Sequence, residues 1–275
     1  MADFNGPVPN PPEERSKRWF SEDVPEISPR TREVLEEYSK IPPEEINAHV
    51  TDIRDKAWAI HNYPCIGSWR FLDLALGQHA LYPEVLERML TGSQIYLDLG
   101  CAFGQDIRRL VADGVDSGNC YGADLQLDFI NLGYELFRDR DTLKTEFIAA
   151  NVFEAESGLD RLDGRVDVVG ASSFFHLFNW DEQVHIGKRV VRLLRPRKGS
   201  LLLGRQVGNE KAGDVPRRAG TGSRFRHDGQ SWQRLWDQIG QEVGASFETS
   251  WSGKPMVTDH HEQGALMTEI SVRRL

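Results

Sequence analysis

Between residues 94 and 206 the chain alternates strand-like apolar runs with helix-like amphipathic ones, and no other feature limits its fold as tightly. Runs at 94–99, 119–123, 145–149, 166–171 and 200–206 read as strands. Runs at 105–113, 127–138 and 181–194 read as helices, the last with Val184, Val190, Val191 and Leu194 on one stripe. Crossovers this short join parallel strands, so the predicted core is an open sheet with helices on both faces. A helix at 231–242 and strands at 246–251 and 265–272 bring the expectation to seven strands, mostly parallel with one antiparallel. Ahead of the sheet, helices are expected at 31–40, 43–61 and 82–90, the second opening on Pro-Pro-Glu-Glu. The predicted domains are a mobile tail (1–25), a helical extension or lid (26–92) and a Rossmann-like domain (93–275) with an insertion at about 207–230.

The first strand runs through Asp98 into Leu99-Gly100-Cys101-Ala102-Phe103-Gly104, and a helix begins at Gln105. Gly100 permits a tight turn and close ligand approach, and Gly104 permits close strand-to-helix packing. Free amides at the helix start favour an anion such as an amino-acid carboxylate, while Asp98 balances an ammonium. A dinucleotide site would show Gly-x-Gly-x-x-Gly. The spacing here, Gly-x-x-x-Gly after an acid, fits S-adenosylmethionine better and disfavours a nicotinamide oxidoreductase. Asp124 closes the next strand twenty residues beyond Gly104, where an acid accepts the ribose hydroxyls, with Leu125 beside it. Asn151, Val152 and Phe153 follow the third strand and are candidates for the adenine; Asn151 reads equally well as a turn residue.

Beyond the fourth strand lies 171–180, the segment expected to face the transferring methyl group. Ser172 is a candidate cofactor contact there, and His176 is either a base or orienting group, or a structural histidine among aromatics. The aromatic stretch with Tyr63, Trp69 and Phe71, together with Trp180, is a candidate cover for an apolar acceptor, with plain core as the alternative for each.

The strings Tyr63-Pro64-Cys65-Ile66-Gly67, Phe71-Leu72-Asp73-Leu74, Leu97-Asp98-Leu99-Gly100-Cys101 and Gly104-Gln105-Asp106-Ile107-Arg108 resemble fungal secondary-metabolite methyltransferases of the class I, S-adenosylmethionine-dependent type. So do Gly133-Tyr134-Glu135-Leu136-Phe137-Arg138-Asp139 and Phe225-Arg226-His227. The resemblance implies methylation of a carboxyl group on a farnesylated, polyketide-derived aromatic acid, as in meroterpenoid biosynthesis. Asn151 stands where many methyltransferases carry an aspartate. An ionised carboxylate needs no base; Arg205, Arg224 and Arg226 are candidates to bind it bidentately. A phenol would need a base, His176 or His227. A fold that holds the cofactor without methyl transfer is the other alternative.

The composition, 39% hydrophobic and 27% charged, is that of a globular chain. A net charge of −9 disfavours nucleic acid, although residues 188–226 carry twelve Lys or Arg against Glu210 and Asp214, as a solvated face or an anion pocket. No apolar run is long enough for a bilayer, no signal peptide is evident, and the three cysteines lack metal-site spacing. The expectation is a cytoplasmic enzyme with a small natural-product substrate, no metal, no membrane or nucleic-acid partner, and a homodimer as the candidate assembly.

Overall fold

The computed structural model describes residues 17–217, 221–256 and 261–275. Helix α1 (Pro29–Glu33) starts on Pro29 with Ser28 capping the amide of Thr31 and runs into a π-helical turn, Val34–Tyr38. Helix α2 (Ile46–Ile60) follows, then short turns at Pro64–Gly67, Arg70–Leu72 and Ala75–Gln78, and helix α3 (Tyr82–Leu90). The alternating part comprises β1 (Tyr96–Leu99), α4 (Gln105–Ala112), β2 (Cys120–Asp124), α5 (Leu127–Phe137), β3 (Glu146–Ala149), β4 (Val168–Gly170), α6 (Trp180–Leu193) and β5 (Leu201–Asn209). A hairpin of β6 (Gly213–Pro216) and β7 (Ser223–Arg226), helix α7 (Gly229–Val243), and strands β8 (Phe247–Pro255) and β9 (Ala265–Arg274) complete it.

Seven strands form one sheet in the order β3-β2-β1-β4-β5-β9-β8. The first five are parallel, and β9 runs against both neighbours, as the seven-strand pattern predicts. The order reverses between β1 and β4, which opens a crevice beyond their carboxyl ends. Side chains alternate across the sheet. Leu97, Val169 and Leu202 face a core closed by α6 and α7, whereas Tyr96, Val168, Leu201 and Leu203 face α3, α4 and Leu76. Asp98 and Arg205 lie two residues beyond Tyr96 and Leu203, and so share that second face.

Two segments have more structure than their composition suggests. Of the tail expected at 1–25, able to fold over the body, residues 1–16 lie outside the described part; beyond them Trp19 is buried, and Ser21 O accepts bonds from Arg54 and the Trp69 indole. Burial of one large aromatic and these bonds outweigh a polar, proline-rich composition. The insertion is not a plain loop: Ser223-Arg224-Phe225-Arg226 has strand alternation, pairs with β6, and buries Arg224 and Arg226.

The helical extension shares its core with the sheet domain. Val34, Leu35, Ile53, Phe71 and Leu72 pack with Phe103, Phe129, Leu136 and Phe137. At the centre Arg108 forms a fork with Asp139, Nε to Oδ2 at 2.9 Å and Nη2 to Oδ1 at 3.0 Å, both side chains almost wholly buried. The Tyr38 hydroxyl donates to the same carboxylate at 2.7 Å, and Arg108 Nη1 donates to Phe103 O at 2.8 Å. Removing one partner leaves a buried charge uncompensated, at a cost of ~3–5 kcal/mol. Arg108→Met and Asp139→Asn are each expected to lose that much in denaturant unfolding, and the double variant less than the sum of the two.

Candidate active site

Three left-handed residues reverse the chain after β1: Gly100 (φ +75°), Ala102 (φ +48°) and Gly104 (φ +64°). Gly104 caps α4 with no side chain, so the first-turn amides stay open toward the crevice. The turn is tied to β2 by Gly100 and Cys101 amides donating to Ala123 O at 2.8 and 3.0 Å. A Cβ on Gly100 would stand 2.6 Å from the Phe174 ring, so the loop after β4 lies directly on the turn.

Around the turn sit three carboxylates. Asp98 is buried, and no hydrogen bond or ion pair to its carboxylate occurs among the described residues. Burial raises its pKa well above the usual range, and Asp106 and Asp124 add to the rise. Burial also raises Asp106, against a bond from the Leu76 amide and the charge of Arg205. Asp124 is raised by burial despite accepting bonds from the amides of Ala102 and Gln126, each at 2.9 Å. The Tyr63 hydroxyl lies in the field of Asp124, and burial raises its pKa as well. Gln105 keeps its side-chain oxygen buried and unpaired. A buried Asp98 without a paired cation, beside uncapped helix amides, matches a ligand that carries both an ammonium or sulfonium and a carboxylate. The residues present therefore fit S-adenosylmethionine.

The other predicted donor-side residues lie on the same rim. Cys101 is buried in the turn, and Leu125 is exposed just past Asp124. Asn151 forms a local turn, its Oδ1 accepting from the Phe153 amide at 3.1 Å and its amide donating to Glu154. Val152 is buried, and Phe153 packs against Phe178 and His185. Ser172 is half-buried just beyond β4, next to Ser173, whose amide donates to Arg205 O at 2.6 Å.

On the acceptor side the structure places several of the candidates in packing and hydrogen-bond contacts with the body of the protein. Trp69 and Phe71 are core: the Trp69 indole bonds Ser21 O under the Arg54 guanidinium, and Phe71 packs edge-on to Phe103. Trp180 packs on Phe225 and His227 on the opposite sheet face and donates to Gln238. His227 is buried with Nδ1 against Ser231 and Nε2 against Gln183, both at 3.0 Å, and burial lowers its pKa to about 3. No ring nitrogen is left to accept an acceptor's proton. His176 Nδ1 takes the Val207 amide at 3.4 Å, and its carbonyl takes Arg226 Nη1 at 2.7 Å.

The basic surplus at 188–226 is largely neutralised by acids from elsewhere. Lys188 pairs with Glu242, Arg189 and Arg192 with Asp163, Arg195 and Arg197 with Asp167, and Arg217 with Glu182. Arg224 and Arg226 share Glu262; although burial opposes it, the two guanidinium groups hold Glu262 down to about 2. Both arginines are thus spent in fixing the hairpin. Arg205 alone of the three candidates faces the crevice side, paired with Asp73 at 2.7 Å. Sequence reasoning did not single out Arg70, Asp73, Asp106 and Glu262, which contact the candidate residues or the turn, although Asp73 and Asp106 stand inside two of the family-like strings.

An open sheet with this strand order, a glycine turn into α4 and acids closing β1 and β2 define a class I methyltransferase fold. A Burkholderia thailandensis 1,6-didemethyltoxoflavin-N1-methyltransferase with bound S-adenosylhomocysteine has this fold, at 15% identity, covering 92% of each chain with a TM-score of 0.50. Residues 19–72 match the meroterpenoid methyltransferase N-terminal domain, and residues 97–197 match a methyltransferase domain. The chain is 47% identical over 235 residues to O-methyltransferase phiE of a fungal species (strain ATCC 74256), covering 84% of this chain and 78% of the relative. It is 43% identical to the asnovolin E/chermesin D methyltransferase nvfJ of Aspergillus novofumigatus, covering 88% and 87%. The chain belongs to the fungal meroterpenoid methyltransferase family and is an S-adenosylmethionine-dependent methyltransferase. No described helix is long and apolar enough to cross a membrane.

His227 gives a pH test of its buried role. Its folded pKa of about 3 lies below the ordinary histidine value, so at intermediate pH only the unfolded chain binds the proton. Stability from this group is whole above pH ~6.5 and falls by ~1.4 kcal/mol per unit as pH drops toward the folded value. His227→Gln removes that slope. The stability gap between the two proteins, read from urea midpoints, should therefore narrow by about 1 kcal/mol from pH 6.5 to 5.5.

Proposed function

We propose that the protein is an O-methyltransferase that esterifies a carboxyl group on a polyketide- or terpenoid-derived small molecule. The observation that carries this reading is that both candidate base histidines are already engaged: His227 through both ring nitrogens, and His176 through Nδ1. A neutral ring that accepts at Nδ1 carries its proton on Nε2 and is a donor there, not a base. A phenol would need its proton removed; a carboxylate arrives ionised. The asnovolin E/chermesin D methyltransferase among the relatives supports a natural product as acceptor.

When bound, S-adenosylmethionine supplies an electrophilic methyl whose transfer to a carboxylate oxygen leaves a neutral thioether and moves no proton. Asp98 holds the ammonium, and the turn Gly100, Cys101, Gly104 and Gln105 holds the carboxylate of the amino-acid end. Asp124, with Leu125, takes the ribose; Asn151, Val152 and Phe153 border the adenine; Ser172 lies toward the reacting end. Residues 26–92 cover the sheet face bearing Asp98 and exclude water from it. Catalysis is then chiefly positioning in a dry site.

Calorimetric titration with S-adenosylmethionine tests the donor half. Asp98→Ala and Asp124→Ala should each weaken binding about tenfold to a hundredfold, whereas His176→Ala should leave it within about twofold. Normal affinity in Asp124→Ala would sink the ribose assignment. For the acceptor half, the methylated product of a farnesylated dihydroxybenzoic acid should release its methyl as methanol on alkaline hydrolysis. An alkali-stable product marks an aryl ether and rejects the carboxyl reading.

A further inference from the structure

The stretch from Tyr63 to Asp73 spans the site without lining it continuously. Tyr63 lies in the field of Asp124 at the donor end. Trp69 and Phe71 turn into the core, and between them Arg70 turns the other way, toward Asp73 and Arg205. Trp69 (φ +62°) and Leu74 (φ +45°) bracket this reversal in the left-handed region, a conformation that costs free energy for residues with a Cβ. The local backbone is held by tertiary contacts: Thr31 Oγ1 donates to Leu72 O at 2.6 Å, and Asp106 accepts from the Leu76 amide at 3.0 Å.

Both guanidinium groups reach one oxygen. Asp73 Oδ2 is 2.7 Å from Arg205 Nη2 and 3.6 Å from Arg70 Nη2. The Arg205 bond is real; the Arg70 contact is too long to be one. Among the described residues Arg70 Nη2 has in addition only the Met267 sulfur, at 3.8 Å, a weak acceptor. Arg205 Nε is buried with no hydrogen-bond partner. Two arginines with ten N–H donors between them thus share one carboxylate, half-buried on the face that carries Asp98. Burial and the charge of Arg205 lower the pKa of Arg70, with Asp73 opposing. Asp106, the other acid in the field of Arg205, has Oδ1 committed to Leu76. Arg108 closes a two-bond fork on Asp139, whereas Arg205 makes a single bond to Asp73 and Arg70 makes none.

We infer that Arg70 and Arg205 form the anion-reading subsite of the acceptor pocket, with the Asp73 carboxylate keeping the two forks in place until an acceptor carboxylate joins them. The inference rests on the carboxyl-methylation reading and adds to it the residues that select an acid over its neutral analogues. Arg70 is the selective element, because its donors are the least used; Arg205 supplies the second fork; Asp73 is a positioning residue. A lysine at position 70 would keep the charge and lose the planar fork. Holding one oxygen of the acceptor also aims the other, which makes the pair an orienting device as well as a binding one.

The test is calorimetric binding of a farnesylated dihydroxybenzoic acid and of its primary amide to the full chain saturated with S-adenosylhomocysteine. Wild type should bind the acid at least about tenfold more tightly than the amide. Arg70→Gln and Arg205→Gln should each bring that ratio close to one without altering S-adenosylhomocysteine affinity, and Arg70→Lys should restore only part of it. Asp73→Asn should preserve the ratio, since the competing internal carboxylate is gone while its hydrogen-bonding shape remains. A wild type without preference overturns the inference, as does an unchanged ratio in Arg70→Gln, which is the mildest of the variants for folding. If Asp73→Asn abolishes the preference as fully as the arginine variants do, the pair is structural only and the inference is again lost. An acid that binds through both arginines but is never esterified rejects the carboxyl-methylation reading alone. An acid esterified by Arg70→Gln with unchanged KM rejects the subsite alone.

Discussion

The Arg108–Asp139 fork is the interaction on which the site depends. Its two carboxylate bonds fix α4 to the end of α5, and its remaining donors hold the carbonyls of Phe103 and Gly104, the last two residues of the glycine turn. Tyr38 reaches the same carboxylate from the helical extension. A single buried ion pair therefore joins the cofactor turn, the β2–β3 crossover and the N-terminal helices. The rings of Tyr134, Phe137 and Phe147 surround the guanidinium and exclude water from it. In that setting an ion pair has little value as net stability but a high cost if halved, so it acts chiefly to specify one arrangement. The close pass of Gly133 completes the joint: a Cβ there would stand 2.3 Å from Phe103 O.

This explains which parts of the sequence were legible. The sheet was readable because its periodicities are local, and the donor site because glycine turns and strand-end acids sit at fixed places in any such crevice. The strings Gly104-Gln105-Asp106-Ile107-Arg108 and Gly133 to Asp139 could be recognised as family-like, yet their physical content is a pairing between residues 31 apart. What spacing hides is the partner. Arg224, Arg226 and His227 looked available because Glu262 and Gln183 are remote in sequence, and for the same reason the charge run at 188–226 left a solvated face and an anion pocket both open. Aromatic residues near a site misled likewise: nothing in the order Trp69-Arg70-Phe71 says that the two rings turn inward and the cation between them does not. The strand β7 was hidden by its short alternation inside a glycine-rich stretch.

The charges fall in two groups on one sheet face. Toward β1 and β2 stand Asp98, Asp106 and Asp124, each raised in pKa by burial, and Asp98 by the charges of the other two as well. Toward β5 stand Arg205 and, across from it, Arg70. Across the sheet from Asp98 the register places Gly122 on one side and Gly170 on the other, so no neighbouring side chain supplies a countercharge there. A cationic methyl donor relieves the acidic group, and on the carboxyl-methylation reading an anionic acceptor suits the basic one. On that reading each half of the site is electrostatically incomplete in the sense that its own reactant completes.

That polarity also bears on rate. Reaction of a sulfonium with a carboxylate destroys two opposite charges, so a strongly polar surrounding would stabilise the reactants more than the transition state. A productive site must therefore orient the carboxylate without solvating it fully. A fork on one oxygen, with the other left facing the methyl, meets that demand better than a water-filled pocket would. A full cage of arginines would not; Arg224 and Arg226 are instead paired with Glu262, and Arg226 also holds the His176 carbonyl. On the carboxyl-methylation reading the paired arginines of β7 and the sparsely bonded Arg70 are complementary: the first withhold charge from the acceptor, and the second offers it at a single point.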